Sequence, residues 1–149
     1  MVWKPNVTVA AVVEQDGRFL LVEEETSEGV RLNQPAGHLE PDESIAAAVQ
    51  RETLEETAYD FEPERITGIY RWTKPGSGLT YLRFAFAGRL GLHHPDRELD
   101  AGIIQAVWLS REEVLASAAR HRSPLVVRCI EDYLSGRRYA IDALVDCDQ

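Results

Sequence analysis

The chain holds only two cysteines, Cys129 and Cys147, and nothing around them has metal-ligand spacing. That excludes a disulfide framework and a thiolate metal cluster, leaving buried or incidental thiols. No apolar run approaches the ~20 residues of a membrane span, and Met1-Val2-Trp3-Lys4-Pro5 leads into a strand without a signal-peptide core, so cytoplasm is the expected compartment. Cations are scarce. Sixteen Lys and Arg stand against 25 Asp and Glu, a net charge of −9, which excludes the basic footprint of a nucleic-acid polymer binder. The four histidines show no pairing, and no repeat, linker or low-complexity segment is visible. What remains is an ordinary globular composition, 44% hydrophobic over 149 residues, expected to form one domain over 1–149.

Local patterns set the element order. Val7 to Val13 is rich in β-branched residues and alanine, Asp16-Gly17 is a turn dipeptide, and Phe19 to Val22 is apolar again, as in a hairpin. A short strand from Val30 to Gln34 is closed by Pro35. Ala36 to Asp42 then forms a loop, and Ser44 to about Ala58 a helix whose alanines, Ala46 to Ala48, suit close packing on a sheet. Ile66 to Trp72 and Leu79 to Leu90 form a second hairpin around Lys74-Pro75-Gly76-Ser77-Gly78. His93 to Gly102 is a polar loop and Ile103 to Leu109 a further strand. Ser110-Arg111-Glu112-Glu113 has the form of a capping box, and Ser123-Pro124 opens a last helix ending near Gly136. This order predicts a mixed α/β domain.

One stretch carries chemistry. Between Gly37 and Glu56 the chain sets Gly37, Glu43, Arg51, Glu52, Glu55 and Glu56 at fixed spacing. Glu52, Glu55 and Glu56 stand at i, i+3 and i+4, so a helix projects all three carboxylates from one face. Like charges at that spacing are mildly destabilising, and a helix kept only for structure gains nothing from them. Hard divalent ions take oxygen ligands of this kind, with the rest of their shell from water and substrate phosphates. A bound cation and a few arginines would also reverse the repulsion that an acidic protein exerts on a polyphosphate.

These six positions match the box of the Nudix family, G-x5-E-x7-R-E-U-x-E-E-x-G-U with U a bulky aliphatic residue, which the chain therefore resembles. At roughly 7% usage per residue type, six matches in one window have a chance probability of ~10⁻⁷, or ~10⁻⁵ in so acidic a chain. Thr53 and Tyr59 stand where the box has bulky aliphatics, and Ala58 where it has its last glycine. Either the helix continues past Ala58 or Ala58 bears the strain of a left-handed cap. The likeness extends to Asn33-Gln34-Pro35-Ala36-Gly37-His38-Leu39-Glu40, Arg122-Ser123-Pro124-Leu125-Val126 and Tyr133 to Tyr139, which are similar to NudJ-type phosphatases.

The resemblance implies an α/β/α sandwich with a mixed β-sheet, and a Mg²⁺-dependent hydrolase in which Mn²⁺ is also possible. It implies release of phosphate from nucleoside tri- and diphosphates and from hydroxymethylpyrimidine diphosphate. Glu52, Glu55, Glu56 and the Ala36 carbonyl would hold the metal, and Arg51 would orient Glu52 and Glu43 beside it. A further acid from a late loop would be the general base, Asp100 in preference to Glu98. Arg83 is the first choice for a phosphate contact, with Arg31 and Lys74 next. Trp72, like Trp3 and Tyr81, is either a base-stacking or a buried aromatic. The rival readings are a sugar-nucleotide or dinucleotide pyrophosphatase, a nucleotide-binding module without turnover, and a protein that only binds Ca²⁺ or Mg²⁺. The expected partner is a small phosphate compound, with no nucleic-acid polymer and no membrane, and the protein a monomer or homodimer.

Overall fold

The computed structural model describes residues 1–148. The chain runs β1 (Asn6–Val12), β2 (Glu14–Gln15), β3 (Arg18–Thr26), β4 (Gly29–Asn33), β5 (Ala36–His38), α1 (Ile45–Thr57), β6 (Tyr59–Thr73), β7 (Thr80–His93), β8 (Ile103–Ser110), α2 (Arg111–Ala116), α3 (Leu125–Leu134) and β9 (Tyr139–Ala140), with single 3₁₀ turns at Ala118–Arg120 and Ile141–Ala143. Five strands form a mixed sheet in the order β5-β1-β7-β6-β9, where β1 lies parallel to β7 and the other pairings are antiparallel. A second, antiparallel sheet is built on β3, which pairs with β2, β4 and β8.

Alternation along the strands divides the apolar residues between two cores. Val9, Ala11, Val13, Leu20 and Phe86 pack with Ala48 and Val49 of α1. Val12, Phe19, Leu21 and Ala85 pack with Val126, Cys129 and Ile130 of α3. The helices therefore cover opposite faces of the mixed sheet. Ala48 is fully buried, while Ala46 and Ala47 are half-buried.

Several strands outrun their apolar segments, because ladder pairing continues where the side chains turn polar. β3 extends through Glu23, Glu24 and Glu25, and β6 begins at Tyr59 rather than Ile66. The expected loop after Pro35 starts as β5, whose backbone pairs with Thr8 to Ala10. Ser110 and Glu113 make the capping box, and the Ser123 hydroxyl accepts the Leu125 N–H at 3.1 Å. Crossing from the antiparallel sheet into the mixed one takes only Gln34 and Pro35, between β4 and β5.

Candidate active site

The acidic helix starts where Ser44 accepts the Ala47 N–H at 3.0 Å. It stops at Ala58, which adopts φ 62° and ψ 19°, so the helix does not continue and the alanine bears a left-handed cap. Two neighbours use its last carbonyls: Asp100 N–H donates to Glu55 and His94 N–H to Ala58, at 2.9 and 2.8 Å. The late loop is thus tied to the C-terminal end of α1.

Arg51 is the hub. Its guanidinium grips Glu43 with Nε and Nη2 at 2.9 and 2.7 Å, and donates to Glu52 at 2.9 Å, Glu55 at 3.2 Å and the His38 carbonyl at 3.0 Å. These bonds, Glu43's first, hold the Arg51 cation even more firmly protonated than usual, and Arg51 holds Glu43 below the ordinary carboxylate range. A side chain at Gly37 would land on the carboxylate of Glu52, which gives the glycine a physical reason.

Glu56 differs from its neighbours. It is 7% exposed, not solvent-facing as a surface helix would have it, and its one recorded hydrogen bond is from the Ala36 N–H to Oε1 at 2.9 Å. Burial pushes its carboxyl up to about 9, against the pull of that N–H, and Glu52, Glu24 and Asp100 add like charge. Burial likewise pushes Glu52 up to about 7, against Arg51. Among the described residues no three acidic or histidine side chains already converge on one point, since Glu52 and Glu55 bond to Arg51 and Glu56 to backbone. Two buried carboxylates with excess negative charge around them, in an open cleft, nevertheless have the donor chemistry a hard divalent cation needs.

That cleft, of about 410 Å³, draws its walls from both sheets and from α1 and α3. Of the residues singled out from the sequence, it brings together Ala36, Gly37, Glu52, Glu56, Trp72, Lys74, Tyr81, Arg83 and Asp100. Glu43 and Arg51 stand behind the wall as its support. Glu55 does not line it, being spent on Arg51 one turn away, and exposed Glu98 lies outside it. Arg31 is a correction to the expected phosphate contacts: its guanidinium folds back on the Val30 carbonyl at 3.0 Å and does not reach the cleft. Trp3 is exposed at 64% and is neither core nor wall.

Trp72 and Tyr81 sit on neighbouring strands with ring centroids 6.0 Å apart and planes 23° apart. Lys74 pairs with Glu28 at 2.7 Å. Arg83 is 5% exposed and donates to Gln34 Oε1 at 2.9 Å, Asn33 Oδ1 at 3.0 Å and Cys129 Sγ at 3.7 Å. Glu24 and Arg122, paired at 2.9 Å, also line the cleft and were not foreseen. Glu24 could be suspected only from three acids prolonging an apolar strand, and Arg122 only from its place at the head of the Arg122-Ser123-Pro124 run that carries part of the family likeness.

The NUDIX domain model matches residues 3–129, and the chain belongs to that family. It is accordingly a hydrolase of phosphoric anhydrides, a class that generally needs a divalent metal. The chain is 42% identical to phosphatase NudJ of Escherichia coli K12 over 144 residues, 97% of this chain and 93% of that one, and the same figures hold for phosphatase NudJ of Shigella flexneri. A solved NUDIX hydrolase from Nitrosomonas europaea superposes with a TM-score of 0.95 at 57% identity, covering 97% of this chain and 99% of that one. The MutT protein of Methanosarcina mazei Go1 has a TM-score of 0.70 at 25% identity, covering 92% and 99%.

Proposed function

We propose that the protein is a Mg²⁺-dependent phosphatase that releases orthophosphate from nucleoside di- and triphosphates and from hydroxymethylpyrimidine diphosphate, with Mn²⁺ as a substitute cation. The observation that carries this reading is one cleft joining a buried acidic end, Glu52 and Glu56, to a buried cation, Arg83. A phosphoric anhydride offers the matching polarity once a cation is in place. The phosphatase reading is also supported by the likeness to phosphatase NudJ over nearly the whole length.

Glu52 and Glu56, with Glu55 and the Ala36 carbonyl, would hold the cation; Glu55 would do so by turning from Arg51. Once held there, the cation would supply charge neutralisation at the phosphate oxygens and would lower the pKa of a bound water. Arg51 keeps Glu43 and Glu52 in register through its fork of donors. Asp100, at the cleft wall on a loop anchored to α1, takes the proton of the attacking water. Arg83 and Lys74 orient the phosphoryl oxygens, and the Trp72 face receives the planar ring of the leaving group.

Purified protein incubated with Mg²⁺ or Mn²⁺ and a panel of nucleoside di- and triphosphates, hydroxymethylpyrimidine diphosphate, ADP-ribose and dinucleotides tests this directly. Orthophosphate from the simple diphosphates is expected. Two phosphorylated fragments from ADP-ribose or a dinucleotide alone would replace the substrate class, and absence of turnover would leave a binding module.

A further inference from the structure

Three cationic side chains that line the cleft differ in their partners. Lys74 is paired with Glu28 and Arg122 with Glu24, whereas Arg83, the most buried of the three, forms no ion pair among the described residues. Its recorded acceptors are all neutral: the amide oxygens of Asn33 and Gln34 and the thiol of Cys129. A buried guanidinium ordinarily takes a carboxylate, because leaving its charge uncompensated is costly.

Gln34 is built for this arrangement. It is 1% exposed, and its Nε2 donates to the Val126 carbonyl of α3 at 2.8 Å. A carbonyl can only accept, so that bond turns the amide and leaves Oε1 facing Arg83. Asn33 supplies the second acceptor from the end of β4, at the cleft wall. An aspartate in place of Asn33 would satisfy the guanidinium as well or better, and would quench it; a glutamate in place of Gln34 would quench it too, but would set a carboxylate oxygen against the Val126 carbonyl.

We infer that Asn33 and Gln34 are positioning residues, a neutral cradle that aims the Arg83 guanidinium into the cleft without cancelling its charge, so that its missing anion is a phosphoryl oxygen of the bound anhydride. This rests on the phosphohydrolase reading for its ligand class. The cradle sets affinity for the phosphoryl group and takes no part in proton transfer.

Asn33→Asp adds one charge against Nη2 with almost no change of shape. Its urea midpoint is expected to equal or exceed that of the wild type. Its affinity for methylenediphosphonate with Mg²⁺, read by calorimetry, should fall about 10- to 100-fold, the range of one charged hydrogen bond. KM for a nucleoside diphosphate should rise by a similar factor with kcat nearly unchanged. Asn33→Ala, which removes an acceptor and adds no charge, should lose less, and Gln34→Glu should repeat the loss of affinity but with a lower urea midpoint, because it gives up the bond to the Val126 carbonyl. Equal losses in Asn33→Asp and Asn33→Ala would overturn the inference, as would wild-type affinity in both acidic variants or no diphosphonate binding by the wild type. Calorimetry needs no turnover, so a wild type that binds diphosphonate but hydrolyses no anhydride would refute the hydrolytic reading alone.

Discussion

Gly37 and Ala58 bracket the acidic helix under opposite demands. At Gly37 the space a methyl group would take is filled by the Glu52 carboxylate, the movable end of a side chain. Gly37→Ala should therefore fold but push Glu52 aside, lowering turnover about 100-fold, the cost of a misplacement near 1 Å. A variant with wild-type kcat would show that Glu52 is not needed where it stands. Ala58 has the reverse problem. Its left-handed φ of 62° is a conformation in which glycine is more comfortable by ~1 kcal/mol or more, offset in part by the greater freedom of glycine in the unfolded chain. Ala58→Gly should raise the urea unfolding free energy by up to about 1 kcal/mol with activity kept, and a loss of stability would mean that the buried methyl outweighs the strain. Glu56→Gln removes an ionisable group whose charged form the fold disfavours, while keeping an acceptor for the Ala36 N–H. Its stability near neutral pH should match or exceed that of the wild type, while turnover falls by about 10²- to 10³-fold, comparable to the loss of another charge-stabilising group.

At the scale of elements, α1 serves as a platform whose contents are mostly legible in the sequence. Gly37, Glu43, Arg51, Glu52, Glu55 and Glu56 lie within 20 residues of one another, and helical periodicity converts their spacing into a shared face. The orientation within that face was not legible. Whether Glu55 faces the cleft or Arg51, and whether Glu56 is buried, depends on β5 passing alongside α1, which a loop-like stretch after Pro35 did not announce. Arg83 joins residues 46 to 50 positions away, Asn33, Gln34 and Cys129, and Glu24 meets Arg122 across 98, separations that no periodicity encodes. Helix α1 also depends on one planar fork. Arg51→Lys keeps the charge but cannot hold Glu43 bidentately while reaching Glu52. Stability should drop by ~1–3 kcal/mol and turnover should fall as well. Unchanged denaturation and kinetics would show that the charge alone suffices.

For the whole molecule, stability without a cation is set against pH by the same two buried carboxyls. Glu52 and Glu56 are pushed from 4.5 to about 7 and about 9 in the fold, so folding favours their protonated forms. Their contribution is fully present below pH 4.5 and is lost as pH climbs through those values, so the thermal midpoint in EDTA should decline over that window. Added Mg²⁺ should flatten the decline, because it binds the deprotonated form. Glu43, held low by Arg51, has the opposite sign and loses its contribution only in acid. An EDTA curve that is flat or rising towards about 9 would mean that these carboxyls are not buried as described.

Asn33, Gln34, Pro35, Ala36 and Gly37 are consecutive, and the first two cradle Arg83 while the last two abut Glu56 and Glu52. The two ends of the cleft therefore share one inherited pentapeptide. A change that retunes the phosphate end shifts the backbone that the acidic end leans on, and the effects of paired substitutions across residues 33–37 should be strongly non-additive. Lineages that alter substrate preference through this peptide would have to change both ends together, whereas changes at Trp72 or Lys74, on a separate strand or loop, leave the acidic end untouched and are open to drift one at a time.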